Sequence, residues 1–298
     1  MQESLDQFRS RRRLRLRRRS KRAYIRSVYF IPSLATLGNA VCGFAAMYVV
    51  LMDPGLTTGD PVAVLMAKHK FLAASYLILL AMIFDALDGR LARWTRHTTD
   101  FGGQLDSLAD VISFGAAPAM IVLALFKDQI LDAPFFTSRL VWAIGAVYMS
   151  CAAIRLARFN TSNEHGEQHH MSFLGLPSPG AAAAVIGMVL VQQELILHGL
   201  PTVAKVVAAV LPVFVLANGL LMVSAFRYGH LVNRYLKGRR SIGRLVAAVI
   251  IMGLLVTSHR YTIGIVCAGY AMSAPVGWLW LRYRARTAVR TPESNPQA

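Results

Sequence analysis

Long apolar runs are the feature of this sequence that most restricts its fold. Eight of them follow one another along the 298 residues, and most approach the roughly 20 residues that a helix needs to cross a bilayer. They lie at approximately 31–52, 70–88, 104–126, 138–157, 177–198, 202–225, 242–257 and 261–282. The sequence therefore predicts an all-α protein, built as a polytopic membrane helix bundle.

Composition supports the same class of protein. Hydrophobic residues make up 55% of the chain and charged residues 16%, where soluble domains carry about 25% charged residues. The formal net charge of +17 fits either a nucleic acid or an anionic membrane surface as partner. Because so much of the chain is apolar and the charges lie between the runs, we expect a lipid bilayer and no nucleic acid.

Basic residues in the short loops predict the orientation. Arg and Lys are abundant in alternate loops, which places both termini on the cytoplasmic side of the cell (inner) membrane and requires an even number of spans. We expect residues 1–27 to form a basic cytoplasmic arm that touches anionic lipid, with RNA binding as the weaker alternative. Residues 28–226 would form a core of six spans, 227–283 a two-span hairpin, and 284–298 a disordered tail.

Four aspartates stand between the second and third runs, on the predicted cytoplasmic side. Asp85 and Asp88 are three residues apart, and Asp106 and Asp110 are four apart, so each pair shares one helical face. A short turn would make the two helices antiparallel neighbours and bring the pairs together, where the carboxylates would repel one another. Hard divalent cations such as Mg²⁺, Mn²⁺ or Ca²⁺ would resolve that repulsion, and a phosphoryl substrate would complete their shell.

Small and basic residues surround the aspartates. Gly89 and Gly102 allow a ligand or helix to approach closely, Ala92 keeps the wall low, and Arg93 suits a phosphate. A single aspartate pair could equally be a solvated helix cap or an ion pair with a neighbouring arginine. Both pairs together with these four residues favour a binding site.

The full pattern, D-x2-D-G-x2-A-R-x8-G-x3-D-x3-D, resembles the signature of the CDP-alcohol phosphatidyltransferase family. The resemblance implies a six-helix membrane core, usually a homodimer, with two divalent cations, Mg²⁺ or Mn²⁺. It also implies transfer of a phosphatidyl group from a CDP-linked lipid, here CDP-diacylglycerol, to an alcohol with release of CMP. By position, Asp85, Asp88 and Asp106 would be metal ligands. Asp110 would touch the metal site and act as the catalytic base.

The same resemblance gives roles to the residues around the aspartates. Four of them would line the pocket for the CDP-lipid: Gly89, Ala92, Arg93 and Gly102. Thr36 and Asn39, three residues apart in the first run, would lie near the metal and nucleotide, with interhelical hydrogen bonding as the alternative. The family usually has Asn after the proline of this segment, and Ser33 departs from that pattern.

The acceptor alcohol is suggested by four flanking segments. They resemble the bacterial-type phosphatidylserine synthase branch of the family and read IPSLATLGNAVCGF, DSLADVISFGAAPA, RLARFN and FLGLPSPGAAA. The resemblance implies L-serine as acceptor. Arg155 and Arg158 would then bind its carboxylate or a substrate phosphate, with Asn160 adding a hydrogen bond; the alternative for the arginines is anchoring at the membrane surface.

Two further functions stay open. A sibling enzyme would use glycerol 3-phosphate, inositol phosphate or choline as acceptor. A cation transporter would carry acidic residues near the middle of several spans, whereas these four lie at the ends of two adjacent ones. The polar segment 161–172, which holds three histidines, is expected to be a solvated loop, with a lid over the site as the alternative.

Overall fold

The chain folds into a bundle of long helices. The computed structural model describes residues 34–53, 61–95, 100–130, 134–164, 173–228, 253–254 and 257–288. The helices are α1 (Leu34–Val50), α2 (Pro61–Lys68), α3 (Lys70–Thr95), α4 (Asp100–Asp110), α5 (Ala117–Gln129), α6 (Phe135–Glu164), α7 (Ser178–Leu197), α8 (Pro201–Val223) and α9 (His259–Ala288).

Six helical stretches within the described residues are long and apolar enough to cross a membrane. They are Lys70–Leu91, Phe101–Gln129, Phe135–Thr161, Ser178–Leu197, Pro201–Val223 and His259–Arg284, and the shorter α1 is also apolar. This confirms the all-α, polytopic prediction. The basic arm 1–27, most of the seventh run at 242–257 and most of the tail 284–298 lie outside the described residues, so the proposed division into core and hairpin stays a prediction.

A π-helical segment interrupts the third predicted span. Val111–Ala116 joins α4 to α5, so the helix continues from Asp100 to Gln129 with one widened turn directly after Asp110. Such turns loosen the regular backbone hydrogen bonding and often mark functional sites. The carbonyl of Phe114 in this segment accepts a hydrogen bond of 3.1 Å from the fully buried hydroxyl of Tyr148 on α6.

Helix α7 lies at the centre of the bundle. Its small and branched side chains are almost completely buried, among them Ala181, Val185 and Val189. Helix α9 packs closely along it, because a Cβ on Gly187 would lie only 2.8 Å from the Cα of Gly264. Because neither glycine carries a side chain, the backbones of the two helices approach closely, as helices in membranes do where small residues face each other.

Two short strands hold the segment that precedes α7. β1 (Phe173–Leu174) pairs antiparallel with β2 (Arg227–Tyr228), which follows α8. Gly175 then adopts a positive φ of 85°, and a Cβ there would lie 2.2 Å from the carbonyl oxygen of Met222. Only glycine fits this close approach in that conformation, so the first turn of α7 is fixed against the end of α8.

The ends of the helices away from the aspartates carry a second polar cluster. Arg260 on α9 pairs with Glu194 near the end of α7 and donates through Nε to the Tyr76 hydroxyl on α3, at 3.3 Å. At the same level Lys70 pairs with Asp128 at 3.2 Å. Glu194 stands 16 residues after the start of α7, about 24 Å along a helix, so this cluster is remote from the aspartates.

Candidate active site

Three aspartates from two helices come together as the sequence predicts. One carboxylate oxygen each of Asp85, Asp88 and Asp106 lies within 4.8 Å of the others. Asp88 is buried, while Asp85 and Asp106 are half-buried. The end of α3 therefore faces the start of α4, and carboxylates three residues apart on α3 point to the same side. Asp110 is buried one helical turn after Asp106, beside this group of three.

Helix α1 supplies hydrogen bonds to two of the carboxylates. The Asn39 amide donates to Oδ1 of Asp110 at 3.1 Å, and Asn39 is completely buried. The Asp88 carboxylate accepts hydrogen bonds from the Thr36 hydroxyl and the Gly89 backbone N–H. Thr36 and Asn39, which the resemblance links to the nucleotide, thus contact the aspartates directly. The hydrogen bonds fix the carboxylates that a ligand would meet.

A close contact with the π segment sets the position of α1. A Cβ on Gly43 would lie 2.5 Å from Oγ and 2.7 Å from Cα of Ser113, so the two backbones meet where Gly43 has no side chain. The Ser113 hydroxyl donates to the carbonyl of Asn39 at 2.8 Å. Since Ser113 follows Asp110 by three residues, the contact brings Asn39 within reach of that aspartate.

The oxygen atoms of the cluster fit a divalent cation. Within the described part of the chain, Oδ2 of Asp88 and Oδ1 of Asp106 are buried and have no hydrogen-bond partner. Buried acceptors without donors are costly unless a cation or a ligand completes them. A donor set made only of carboxylate oxygens suits hard ions such as Mg²⁺, Mn²⁺ or Ca²⁺.

The guanidinium of Arg155 reaches the same region from α6. Its Nη1 donates to the Ser178 hydroxyl at 2.7 Å, and it interacts electrostatically with Asp85 and Asp110. Its Nε is buried and has no hydrogen-bond partner among the described residues. Arg155 therefore offers an unused donor beside the carboxylates.

The other two predicted acceptor residues are placed differently. Arg158, one turn further along α6, is exposed. Asn160 donates to the hydroxyl of Ser107 at 2.9 Å, next to Asp106. Asn160 thus joins the end of α6 to α4, whereas Arg155 alone of the three carries a buried, unpaired donor.

The pocket residues that follow Asp88 are described only in part. Gly89 is exposed, and a Cβ there would meet nothing within 4 Å. Gly102 is half-buried in the first turn of α4. Ala92 and Arg93 lie in the last turns of α3, and their side chains are outside the described residues.

Sequence reasoning missed two polar residues of the site. Ser113 and Ser178 both lie in segments that carried the resemblance, DSLADVISFGAAPA and FLGLPSPGAAA, but their hydroxyls gave no separate signal. Ser178 is completely buried at the start of α7, and its partner Arg155 is 23 residues earlier. The clue available in the sequence was a serine next to a proline and a glycine where a helix was expected to begin.

This fold and this group of carboxylates agree with a comparison against protein families. The model for CDP-alcohol phosphatidyltransferase matches residues 29–219, which include α1 and all four aspartates. The chain belongs to the CDP-alcohol phosphatidyltransferase family, as the resemblance of its motif to the family signature implied. Members of this family are membrane enzymes that depend on a divalent metal, which agrees with the cluster of three aspartates.

Three similar proteins of known name all bear the same name. A CDP-diacylglycerol–serine O-phosphatidyltransferase of Helicobacter pylori is 29% identical over 258 residues, covering 86% of this chain and 94% of the relative. A protein of the same name from Methanocaldococcus jannaschii is 34% identical over 158 residues, covering 53% and 64%. One from Saccharomyces cerevisiae is 35% identical over 166 residues, covering 53% and 54%.

Proposed function

We propose that this protein transfers the phosphatidyl group of CDP-diacylglycerol to the hydroxyl of L-serine, giving phosphatidylserine and CMP. The observation that carries the proposal is the group of Asp85, Asp88 and Asp106 within 4.8 Å, in a chain whose family transfers phosphatidyl groups. Serine is supported by the names of the relatives, one of which matches along nearly its whole length.

The reaction assigns separate tasks to the aspartates. The serine hydroxyl attacks the phosphorus that bears the diacylglycerol, a new P–O bond forms, and the bond to the CMP oxygen breaks. Asp110 would take the hydroxyl proton as general base. The hydrogen bond from Asn39 to Oδ1 orients that carboxylate, which leaves its other oxygen for the incoming hydroxyl.

The metal site would be formed by Asp85, Asp88 and Asp106, with Asp110 beside it. We infer two divalent cations, Mg²⁺ or Mn²⁺, as the family resemblance implies. When bound, they supply positive charge that offsets the diphosphate and the leaving CMP. Gly89, Ala92, Arg93 and Gly102 would line the CDP-lipid pocket, and Thr36 would hold Asp88.

The serine carboxylate would bind at Arg155. A guanidinium is suited to a carboxylate because it offers several N–H donors in one plane. Two observations support this position. Nε is buried without a hydrogen-bond partner among the described residues, and the guanidinium interacts electrostatically with Asp85 and Asp110. Arg158 is exposed and would act at the mouth of the site, and Asn160 would hold Ser107 beside Asp106.

An acceptor panel tests the proposal. Purified protein in lipid vesicles receives CDP-diacylglycerol and Mg²⁺ or Mn²⁺ with L-serine, glycerol 3-phosphate, inositol phosphate or choline, and both CMP and the lipid product are measured. We expect CMP and phosphatidylserine with L-serine alone. Turnover with only one of the other alcohols would overturn the serine assignment while leaving the family chemistry in place.

We also propose that both termini and the site face the cytoplasm at the inner membrane, and that the chain forms a homodimer. The distribution of Arg and Lys supports the orientation. Reporter fusions at the two termini test it, since periplasmic activity of either reporter would contradict it. Residues 1–27 would bind anionic lipid, which vesicle binding with and without phosphatidylglycerol measures; equal binding to neutral vesicles would exclude that role.

Cation transport has less support. The carboxylates lie at the end of α3 and the start of α4, and membership of the family accounts for them. At the other end of the described helices, Glu194 is paired with Arg260 and Asp128 with Lys70. A transport path would need acidic residues between these levels.

A further inference from the structure

The last described span contacts the first turn of α7, where the predicted serine site lies. Helix α9 is outside residues 29–219, the segment that matches the family. Its Tyr270 nevertheless packs on Gly180, because a Cβ on that glycine would lie 3.2 Å from Cε1 of the tyrosine. Gly180 is two residues after Ser178, the residue that accepts the hydrogen bond from Arg155.

Neighbouring groups hold Tyr270 in this position. Its ring meets that of Tyr228 edge to face, with centroids 5.8 Å apart. The buried Tyr228 hydroxyl donates to the carbonyl of Ala271 at 2.8 Å, so the residue after Tyr270 is fixed as well. Tyr228 belongs to β2, whose pairing with β1 anchors the chain that enters α7. Three segments therefore meet around the Tyr270 ring.

Arg155 is near both this tyrosine and the aspartates. It interacts electrostatically with Tyr270 on one hand and with Asp85 and Asp110 on the other. One of its nitrogens is held by Ser178, and the buried Nε remains without a partner among the described residues. A long side chain with several rotatable bonds stays in one place only if its surroundings restrict it.

We propose that Tyr270 is a positioning residue for Arg155, so that the last span forms part of the serine side of the site. This rests on the proposed function, in which Arg155 binds the serine carboxylate. The Tyr270 ring, seated on Gly180, limits the positions open to the guanidinium, while Ser178 holds Nη1. Nε is then left directed at a ligand instead of at another protein group.

Kinetics of Tyr270→Phe and Tyr270→Ala test the proposal. The matched control is Tyr261→Phe, the same change on the same helix, at a ring that stacks on His198 near the remote cluster. We expect the KM for L-serine to rise about tenfold in Tyr270→Ala, the size of one lost contact to a charged group. The KM for CDP-diacylglycerol should stay within about twofold. Tyr270→Phe, which keeps the ring, and the control Tyr261→Phe should match the wild type.

A double-mutant cycle separates positioning from a general effect on the fold. In an Arg155→Lys background, Tyr270→Ala should raise the serine KM no further, because the group that the ring positions is already changed. A serine KM within about twofold of wild type for Tyr270→Ala, or independent effects in the cycle, would overturn the proposal. If Tyr270→Ala does not fold, Tyr270→Leu, which also removes the ring but fills more of its space, replaces it in the kinetics and in the cycle.

The two proposals can fail separately. If the wild type turns over L-serine and the Tyr270 variants behave like it, only the positioning role is wrong. If the wild type uses another alcohol, the serine assignment is wrong, and the same variants measured against the KM of that alcohol still decide the role of Tyr270.

Discussion

Asn39 on α1 donates a hydrogen bond to Asp110 on α4 across 71 residues of sequence, at 3.1 Å between Nδ2 and Oδ1. Asn39 is completely buried and Asp110 is nearly so. The first helix of the bundle is therefore joined to the carboxylate that we assign as general base. Helix α1 therefore holds a carboxylate of the site as well as anchoring the chain in the membrane.

Replacing Asn39 by Leu should lower the catalytic activity of the protein that remains folded. The change removes the donor and leaves the Asp110 oxygen buried without its partner, a loss of about 1.5–3 kcal/mol for a hydrogen bond to a charged group. We expect kcat/KM to fall roughly 10–100-fold. Asn218→Leu is the control, since that buried asparagine donates to the carbonyl of Phe214 within α8. Equal losses in both variants would argue against an orienting role for Asn39.

Gly43→Ala should separate α1 from the π segment. The new Cβ would lie 2.7 Å from the Cα of Ser113, a backbone atom that cannot turn aside. Overpacking of this kind costs about 1–3 kcal/mol, and the shift should also weaken the contact between Asn39 and Asp110. Thermal unfolding and CMP release measure the two effects. Gly269→Ala on α9, where a Cβ meets nothing within 4 Å, should be close to neutral. A neutral Gly43→Ala would mean that α1 is not held at this contact.

Removal of metal should abolish CMP release and lower the thermal midpoint of unfolding. Mg²⁺ or Mn²⁺ added back at a hundredfold excess over its dissociation constant should restore about 2.7 kcal/mol of stability. Asp106→Asn, which removes one carboxylate of the cluster, should weaken this stabilisation, and Asp128→Asn should not, because Asp128 pairs with Lys70 at the other end of the bundle. A chelator without effect on either quantity would contradict the metal site.

The remote polar cluster should serve stability alone. Arg260→Ala breaks the pair with Glu194 and the hydrogen bond to Tyr76, and loss of one partner of a half-buried pair should lower the unfolding temperature. The KM values for CDP-diacylglycerol and serine should stay unchanged in the protein that remains folded. A selective rise in the serine KM would show that this end of α9 is coupled to the site.

Local patterns in the sequence predicted the helices and the grouping of the aspartates. Run length gave the spans, and spacings of three and four placed Asp85 with Asp88 and Asp106 with Asp110 on common faces. The observed helix boundaries differ from the predicted ones where polar residues continue a helix beyond its apolar run. The second run was read as ending at residue 88, but α3 continues to Thr95 because helical hydrogen bonds extend beyond the apolar part. Likewise α4 begins at Asp100, before the third run becomes apolar.

Contacts between distant segments could not be predicted from one sequence. The close approach of Gly43 to Ser113 and the seat of Tyr270 on Gly180 each depend on how two helices cross. The π segment after Asp110 depends on tertiary packing, since Val111–Ala116 reads as ordinary helix. The packing of α9 along α7 through Gly187 and Gly264 likewise depends on how the two helices cross.

Transfer of labelled serine into lipid tests the central claim most directly. Isotope-labelled L-serine and CDP-diacylglycerol are given to the wild type and to Asp110→Asn in vesicles with Mg²⁺ or Mn²⁺, and labelled phosphatidylserine and CMP are quantified together. We predict equal amounts of the two products from the wild type, and a loss of about 10²–10⁴-fold in a folded Asp110→Asn protein. Wild-type protein that releases CMP without labelling lipid, or an Asp110→Asn protein that retains full turnover, would contradict the account.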